Sequence, residues 1–296
     1  MSFRKVLRGT GVAIITPFAG DLSVDFEALG NVLDYNINNG VNYIVTLGTT
    51  GETPVLSSEE KKEIIHFTEK HIAGRVPMVI GMGGNDTAAV VKDLQTYPLD
   101  GAVAVLSASP YYNKPSQEGI YEHYKALAAA SPKPVILYNV PGRTGRNMNA
   151  STTLRLAQIE NIAGIKEASN DIQQVMEILK GRPENFAVIS GDDDLVLPEM
   201  ACGIDGVISV AANAFPKLFS QMVNYGLNYN FTEAVNLNNQ LLEVYKLLFV
   251  ENNPAGVKAF LFEMDLIENS LRLPGVPLSD ELHRRVKKYL ADNKVS

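Results

Sequence analysis

Several short stretches of this chain carry side chains able to do chemistry, and one of them places a lysine inside an apolar run. Ile162-Ala163-Gly164-Ile165-Lys166-Glu167-Ala168 reads as a short buried strand with Lys166 near its C-terminal end. A lysine in such a setting is costly unless it is paired or used. Apolar surroundings favour the neutral amine, which is a nucleophile. Facing a carbonyl substrate, that amine makes a Schiff base. The alternative is a strand-end lysine held in an ion pair with an acid.

Tyr138 ends another apolar run, where its phenol needs a partner. Beside a lysine, a phenol can pass protons during imine formation. Gly48-Thr49-Thr50-Gly51-Glu52 offers two hydroxyls and open backbone amides to an anionic group, although its glycines also suit a plain turn. Tyr111-Tyr112 fits either proton chemistry or packing at an interface. Arg143 lies in a proline-glycine loop with no helical partner. A guanidinium there suits a bidentate grip on a carboxylate, or is simply solvated.

Other chemistries have weaker support. Asp192-Asp193-Asp194 has the oxygen ligands for Mg²⁺, but only Glu52 and Glu167 stand at other strand ends. The triplet is expected to cap the helix that begins at Leu195. His66, His71, His123 and His283 fall in helical segments, where surface or packing roles are expected rather than zinc ligation. Gly81-Met82-Gly83-Gly84-Asn85 is glycine-rich, but a barrel's phosphate site usually follows strands seven and eight, and the loop after the seventh run is acidic.

The elements that must position these residues alternate regularly. Apolar runs at 12–16, 43–47, 76–80, 102–106, 134–138, 162–168, 186–190 and 206–210 look like parallel strands covered on both faces. Helical patterns fill the gaps: 25–39, a helix starting at the capping Ser57, 87–97, 116–130, 151–158, 171–179 and 195–201. Eight such units predict an α/β fold, a (β/α)₈ TIM barrel, with chemistry on the loops at the C-terminal strand ends. The reactive stretches fall there. A doubly wound open sheet is the alternative, but the first strand lacks a Gly-x-Gly-x-x-Gly turn. After Val210 the pattern is helical at 231–248, 253–269 and 280–293. The expected division is a barrel over 1–225 carrying the active site and a C-terminal helical layer over 226–296.

Composition narrows the partners. The net charge is −7 without basic clusters, which argues against nucleic acid and anionic membrane surfaces. An anionic substrate would need specific local cations. No apolar run approaches the roughly 18 residues of a membrane span. The single cysteine, Cys202, is expected to be a buried filler and permits no internal disulfide. The first residues lack a hydrophobic signal core, so the expected compartment is the cytoplasm.

Taken in order, Gly48-Thr49-Thr50-Gly51-Glu52, Tyr111-Tyr112-Asn113, Tyr138-Asn139-Val140-Pro141, Arg143-Thr144-Gly145, Gly164-Ile165-Lys166-Glu167 and Ser190-Gly191-Asp192-Asp193 resemble the dihydrodipicolinate synthases. The resemblance runs over essentially the whole chain, including Leu271-Arg272-Leu273-Pro274. The wider family also holds N-acetylneuraminate lyase and sugar-acid aldolases; the paired threonines and the Arg143 loop favour the synthase. The resemblance implies a lyase of the class I aldolase type in the diaminopimelate and lysine pathway. Lys166 would form an imine with pyruvate, and the derived enamine would add to L-aspartate-4-semialdehyde. Thr49, Tyr112 and Tyr138 would form a proton relay, with Tyr112 supplied by a neighbouring subunit. Thr50 would hold the pyruvate carboxylate and Arg143 the semialdehyde carboxylate, with Gly191 and Ile208 lining the site. No metal or organic cofactor is implied, and the usual assembly is a homotetramer, a dimer of dimers. At the interface pocket where lysine-inhibited members bind lysine, this chain has Pro54, Ser58, Lys61 and Ala89, with only Asn85 and Tyr111 matched. Weak or absent lysine feedback is expected, because Lys61 repels a cation and Ala89 removes an acid. The competing readings are a sugar-acid aldolase of the same fold and a non-catalytic barrel that senses a keto acid.

Overall fold

A computed structural model describes residues 2–293; Met1 and residues 294–296, which the expected division also covers, lie outside it. Eight parallel strands close into a barrel in sequence order: β1 (Gly9–Ala13), β2 (Tyr43–Thr46), β3 (Met78–Gly81), β4 (Ala104–Ala108), β5 (Val135–Asn139), β6 (Ile162–Glu167), β7 (Ala187–Ser190) and β8 (Gly206–Ser209). The helices are α1 (Phe3–Val6), α2 (Phe26–Asn38), α3 (Ser58–Ile72), α4 (Thr87–Thr96), α5 (Gln117–Ala130), α6 (Pro141–Thr144), α7 (Ala150–Leu156), α8 (Ile172–Gly181), α9 (Val196–Cys202), α10 (Pro216–Leu227), α11 (Phe231–Phe249), α12 (Ala255–Glu263) and α13 (Asp280–Asn293).

The strands are apolar on both faces because each face meets a different core. On β5, Ile136 and Tyr138 point into the lumen, while Val135 and Leu137 join the layer between barrel and helices. The same alternation puts Ile165 of β6 outside and its neighbour Lys166 inside. The lumen is filled by residues such as Tyr43, Val45, Val79, Leu106 and Ile189, so the barrel is a packed core that supports the site above it. The helices start where the sequence signals them. Asp25 caps α2 through the Ala28 amide at 2.9 Å, and Ser57 and Glu60 form a reciprocal capping box on α3.

The first strand lies three residues earlier than its apolar run. At Gly11 a Cβ would sit 2.1 Å from the Tyr43 ring, so only glycine lets β1 pair with β2 there. Ile14 to Thr16 leave the strand although they are buried: the Ile15 amide donates to Asn213 Oδ1 at 3.1 Å and Thr16 Oγ1 to the Gly51 carbonyl at 2.7 Å. The helix α10, absent from the sequence expectations, follows β8 and buries Phe219, Met222 and Val223 on one face. The helix expected over 253–269 ends at Glu263. A Schellman closure stops it: Asp265 is left-handed (φ 57°), and the Leu266 amide bonds the Leu261 carbonyl at 3.0 Å. The C-terminal helices join the barrel core, with Phe260 of α12 and Tyr289 of α13 both edge-on to Phe215.

Candidate active site

The closed barrel sets Tyr138 and Lys166 side by side as register partners on β5 and β6. Both point into the upper lumen, and Lys166 Nζ lies 4.5 Å from the centre of the Tyr138 ring. Lys166 is 5 % exposed and Tyr138 8 %, so the amine meets only what enters from above. The acid next to Lys166 in sequence does not pair with it. The Glu167 carboxylate turns outward and accepts from Asn139 Nδ2, the Ser169 amide and Gln174 Nε2 at 2.9–3.1 Å.

Above the pair opens a cavity of about 1560 Å³, walled by Thr49, Thr50, Arg143 and Gly191 as well as by Lys166 and Tyr138. The two threonines open a tight turn, Thr49–Gly51, whose first internal bond is Gly51 amide to Gly48 carbonyl at 3.0 Å. The Thr49 and Thr50 amides precede that bond and have no partner within the turn. Thr50 Oγ1 accepts from Asn253 Nδ2 at 2.9 Å, which leaves its own proton free for an anion. Arg143 stands in the short helix α6 rather than in a free loop, and among the described residues its Nη2 reaches a neutral amide, Asn252 Oδ1, at 3.3 Å and no carboxylate. Its charge is therefore available to a carboxylate. Gly191 is required by contact: a Cβ there would lie 2.8 Å from Lys166 Cε and 2.7 Å from Ala168 Cβ.

Two expected residues sit elsewhere. Tyr112 is 89 % exposed, in a left-handed conformation (φ 71°), and does not wall the cavity; Tyr111 does. Ile208 is fully buried in the lumen core with Tyr138 and Ile189, below the cavity wall.

The acidic triplet does not cap a helix. Leu195 occupies the cap position of α9 with no side-chain bond. Asp193 instead turns inward and accepts from the Val210 and Ala211 amides at 3.0 and 2.8 Å. Two amides leaving β8 outcompete a helix end because they are buried and have no other partner. Burial pushes Asp192 and Asp193 up to about 6 each, opposed in part by Lys166.

The C-terminal helices contribute what the sequence reading missed. Asn252 and Asn253, between α11 and α12, reach the cavity, as do Tyr245 and Lys246. Lys258 of α12 is 0 % exposed; its Nζ lies 2.5 Å from Glu52 Oε1 and 2.9 Å from the Ser270 carbonyl. Burial lowers Lys258 to about 8, against the pull of Glu52. Glu52, which closes the threonine turn in a left-handed conformation, is thus an ion-pair partner of Lys258. The turn-forming Asn252-Asn253-Pro254 between two helical patterns is the one sequence signal for this wall.

The arrangement is an amine and a phenol at the floor of a cavity, with hydroxyl, amide and guanidinium donors around it. Such donors suit a small keto acid, and an amine so placed can convert a carbonyl to an imine. Comparison with known proteins gives the family. The sequence profile of the Dihydrodipicolinate synthetase family matches residues 6–293. The 4-hydroxy-tetrahydrodipicolinate synthase of Parabacteroides distasonis is 52 % identical over 285 residues, 96 % of each chain. That of Phocaeicola vulgatus is 51 % identical over 290 residues, 98 % of each. A crystal structure of dihydrodipicolinate synthase from Thermotoga maritima superposes with a TM-score of 0.95 at 37 % identity, covering 98 % of this chain and 100 % of that one.

Proposed function

We propose how the site works from one premise: this chain belongs to the dihydrodipicolinate synthetase family. Its reaction is that of a 4-hydroxy-tetrahydrodipicolinate synthase, a lyase that condenses pyruvate with L-aspartate-4-semialdehyde in diaminopimelate and lysine biosynthesis.

Lys166 adds to the ketone of pyruvate, water leaves, and an iminium ion remains. The iminium is the electron sink, so the step calls for no metal or organic cofactor. Loss of a methyl proton gives the enamine, whose carbon adds to the aldehyde of the semialdehyde. The substrate's amine then attacks the imine carbon, the ring closes, and Lys166 is released. Tyr138, whose ring centre lies 4.5 Å from the amine, moves protons in these steps, with Thr49 as the next member of the relay. Thr50 holds the pyruvate carboxylate through its free hydroxyl proton, Arg143 grips the carboxylate of the semialdehyde, and Gly191 leaves room for the lysine stem. Ile208 supports this floor from within the lumen.

The remaining relay member is Tyr112. Its exposure and its place outside the cavity fit a role across a subunit boundary, in which the partner subunit's Tyr112 completes each site. The assembly is then a homotetramer, a dimer of dimers. The catalytic unit is the barrel over 1–225 together with the layer over 226–296, since Asn253 and Lys258 support the threonine turn. Among the described residues no helix is long and apolar enough to cross a membrane. We place the enzyme in the cytoplasm, in keeping with a biosynthetic lyase whose lone Cys202 has no partner for a disulfide.

The observation that carries this reading is Lys166 stacked over Tyr138 at the mouth of the closed barrel. Borohydride reduction in the presence of pyruvate tests it. A pyruvate-dependent mass increase on the Lys166 peptide supports it, and unmodified Lys166 would refute it.

A further inference from the structure

Directly behind Lys166 and Tyr138 in the same two strands lies a second cross-strand pair, Asn139 and Glu167. It faces the helices, in the shell where neighbouring outward positions are Val135, Leu137 and Ile165. A carboxylate there is expensive, since burial of an ionised group needs several hydrogen bonds to offset it. A residue of hydrocarbon type would fill the space at less cost. We infer that the Asn139–Glu167 pair is a positioning device that fixes the Lys166 amine against the Tyr138 phenol.

The hydrogen bonds converge from three directions. Asn139 Nδ2, on β5, donates to both Glu167 oxygens at 2.9 and 3.2 Å. Gln174 Nε2, on α8, donates to Oε2 at 3.1 Å, and the Ser169 amide of the loop after β6 donates to Oε1 at 3.0 Å. Asn139 is itself held, because its Oδ1 accepts from the Met148 amide at 2.9 Å. The backbone continues the lock: the Gly191 amide bonds the Glu167 carbonyl at 2.7 Å, and Gly191 is the residue against which the Lys166 stem rests. Both Asn139 and Glu167 are buried, so solvent does not compete for these bonds. The pair therefore ties the ends of β5, β6 and β7 together one residue beyond the reacting groups. Imine formation needs the amine within about 3–3.5 Å of the ketone carbon, and a displacement near 1 Å costs about 10²-fold.

The inference rests on Lys166 as the imine-forming amine, so the test measures that chemistry directly. Full-length wild type, Glu167→Gln and the double variant Glu167→Gln/Gln174→Glu are mixed with pyruvate and reduced with borohydride at timed intervals. The rate of adduct formation is followed by peptide mass across pyruvate concentrations. Glu167→Gln sets two amide donors against each other at Gln174, and the double variant restores one donor facing one acceptor. The expected result is a maximal rate about 10- to 100-fold lower in Glu167→Gln. The pyruvate concentration for half-saturation, set by Thr50, stays near wild type, and the double variant recovers most of the rate. A purely structural role would lower the folded fraction and leave the rate per folded site intact; that result would overturn the inference. If Glu167→Gln does not fold, Gln174→Met removes one of the donors to Glu167, together with the Gln174 bonds to Asn147 and Met148: a maximal rate several-fold below wild type supports the clamp, and an unchanged one overturns it. Wild type that forms no adduct would overturn the assignment of Lys166 and the clamp with it. Normal labelling in both wild type and Glu167→Gln would overturn the clamp alone.

Discussion

Lys258 Nζ lies 2.5 Å from Glu52 Oε1 across the boundary between the C-terminal helices and the barrel, with the lysine fully buried. Glu52 closes the turn that presents Thr49 and Thr50. The Arg272 amide holds the second carboxylate oxygen at 3.2 Å, and Phe18 lies under both the Lys258 and Arg272 cations at 4.3 and 4.4 Å. The C-terminal layer thus fastens the turn that carries Thr49 and Thr50.

Removing one member of this pair leaves a buried charge without a partner. Lys258→Met should lose about 3–5 kcal/mol of stability. Neutralising both, Lys258→Met/Glu52→Gln, should recover most of that loss. Urea unfolding of the two variants checks this, and equal stability of the single variant and wild type would contradict it.

Thr50 takes a hydrogen bond from Asn253 and keeps a proton to donate. Thr50→Val preserves the shape and removes that donor. A hydrogen bond to a charged group contributes about 1.5–3 kcal/mol, so half-saturation by pyruvate should rise about 10- to 100-fold. Imine formation at saturating pyruvate should change much less. A fall in the saturated rate with unaltered half-saturation would place Thr50 in the chemistry instead.

Burial pushes Glu167 up to about 7 and Glu199 up to about 8. Below these values both groups hold protons in the fold that the unfolded chain has released, and above them they are carboxylates, so the stability they contribute is present at low pH and is lost as pH rises through these values. His123, lowered to about 4 by burial, works in the opposite sense, but only below its ordinary value of 6.5. Lys258, lowered to about 8, also opposes them in the upper part of the window, but between pH 6.5 and 8 the two carboxyls outweigh it, and stability should fall by about 2 kcal/mol. Glu199→Gln should flatten the slope in urea unfolding. A stability that rises across this window would contradict the assignment.

Lys61 walls the outer cavity beside Pro54, and Ala89 stands on α4 where lysine-sensitive relatives are expected to carry an acid. A second ammonium brought there meets a like charge. Lysine should inhibit weakly or not at all in steady-state assays. Strong inhibition by submillimolar lysine would contradict this.

The parts of this account legible in the sequence are those governed by local pattern. The run around Lys166 announced a buried strand because isoleucine and small residues leave few alternatives, and Ser57 announced a helix start because its oxygen meets an orphan amide three residues on. The misreadings came from contacts distant in sequence. Asp193 obeys the local rule for a cap, yet two amides 17 and 18 residues away hold it instead. Asn253 and Lys258 look like ordinary residues of a helical tail until the fold brings them to Thr50 and Glu52, some 200 residues earlier. The helix α10 carried its apolar spacing at Phe215, Phe219, Met222 and Val223, but Pro216 and the preceding Ala211-Ala212-Asn213 masked where it starts.

The central claim is that Lys166 is the amine through which pyruvate is joined to the semialdehyde. Condensation of pyruvate with L-aspartate-4-semialdehyde, coupled to a downstream reductase, measures it with wild type and Lys166→Ala side by side. The account predicts rapid turnover in the wild type and near-complete loss in the variant, with its fold intact by circular dichroism. Turnover in Lys166→Ala within tenfold of wild type would contradict the account, because among the described residues Lys166 is the amine that stands beside Tyr138 in the cavity.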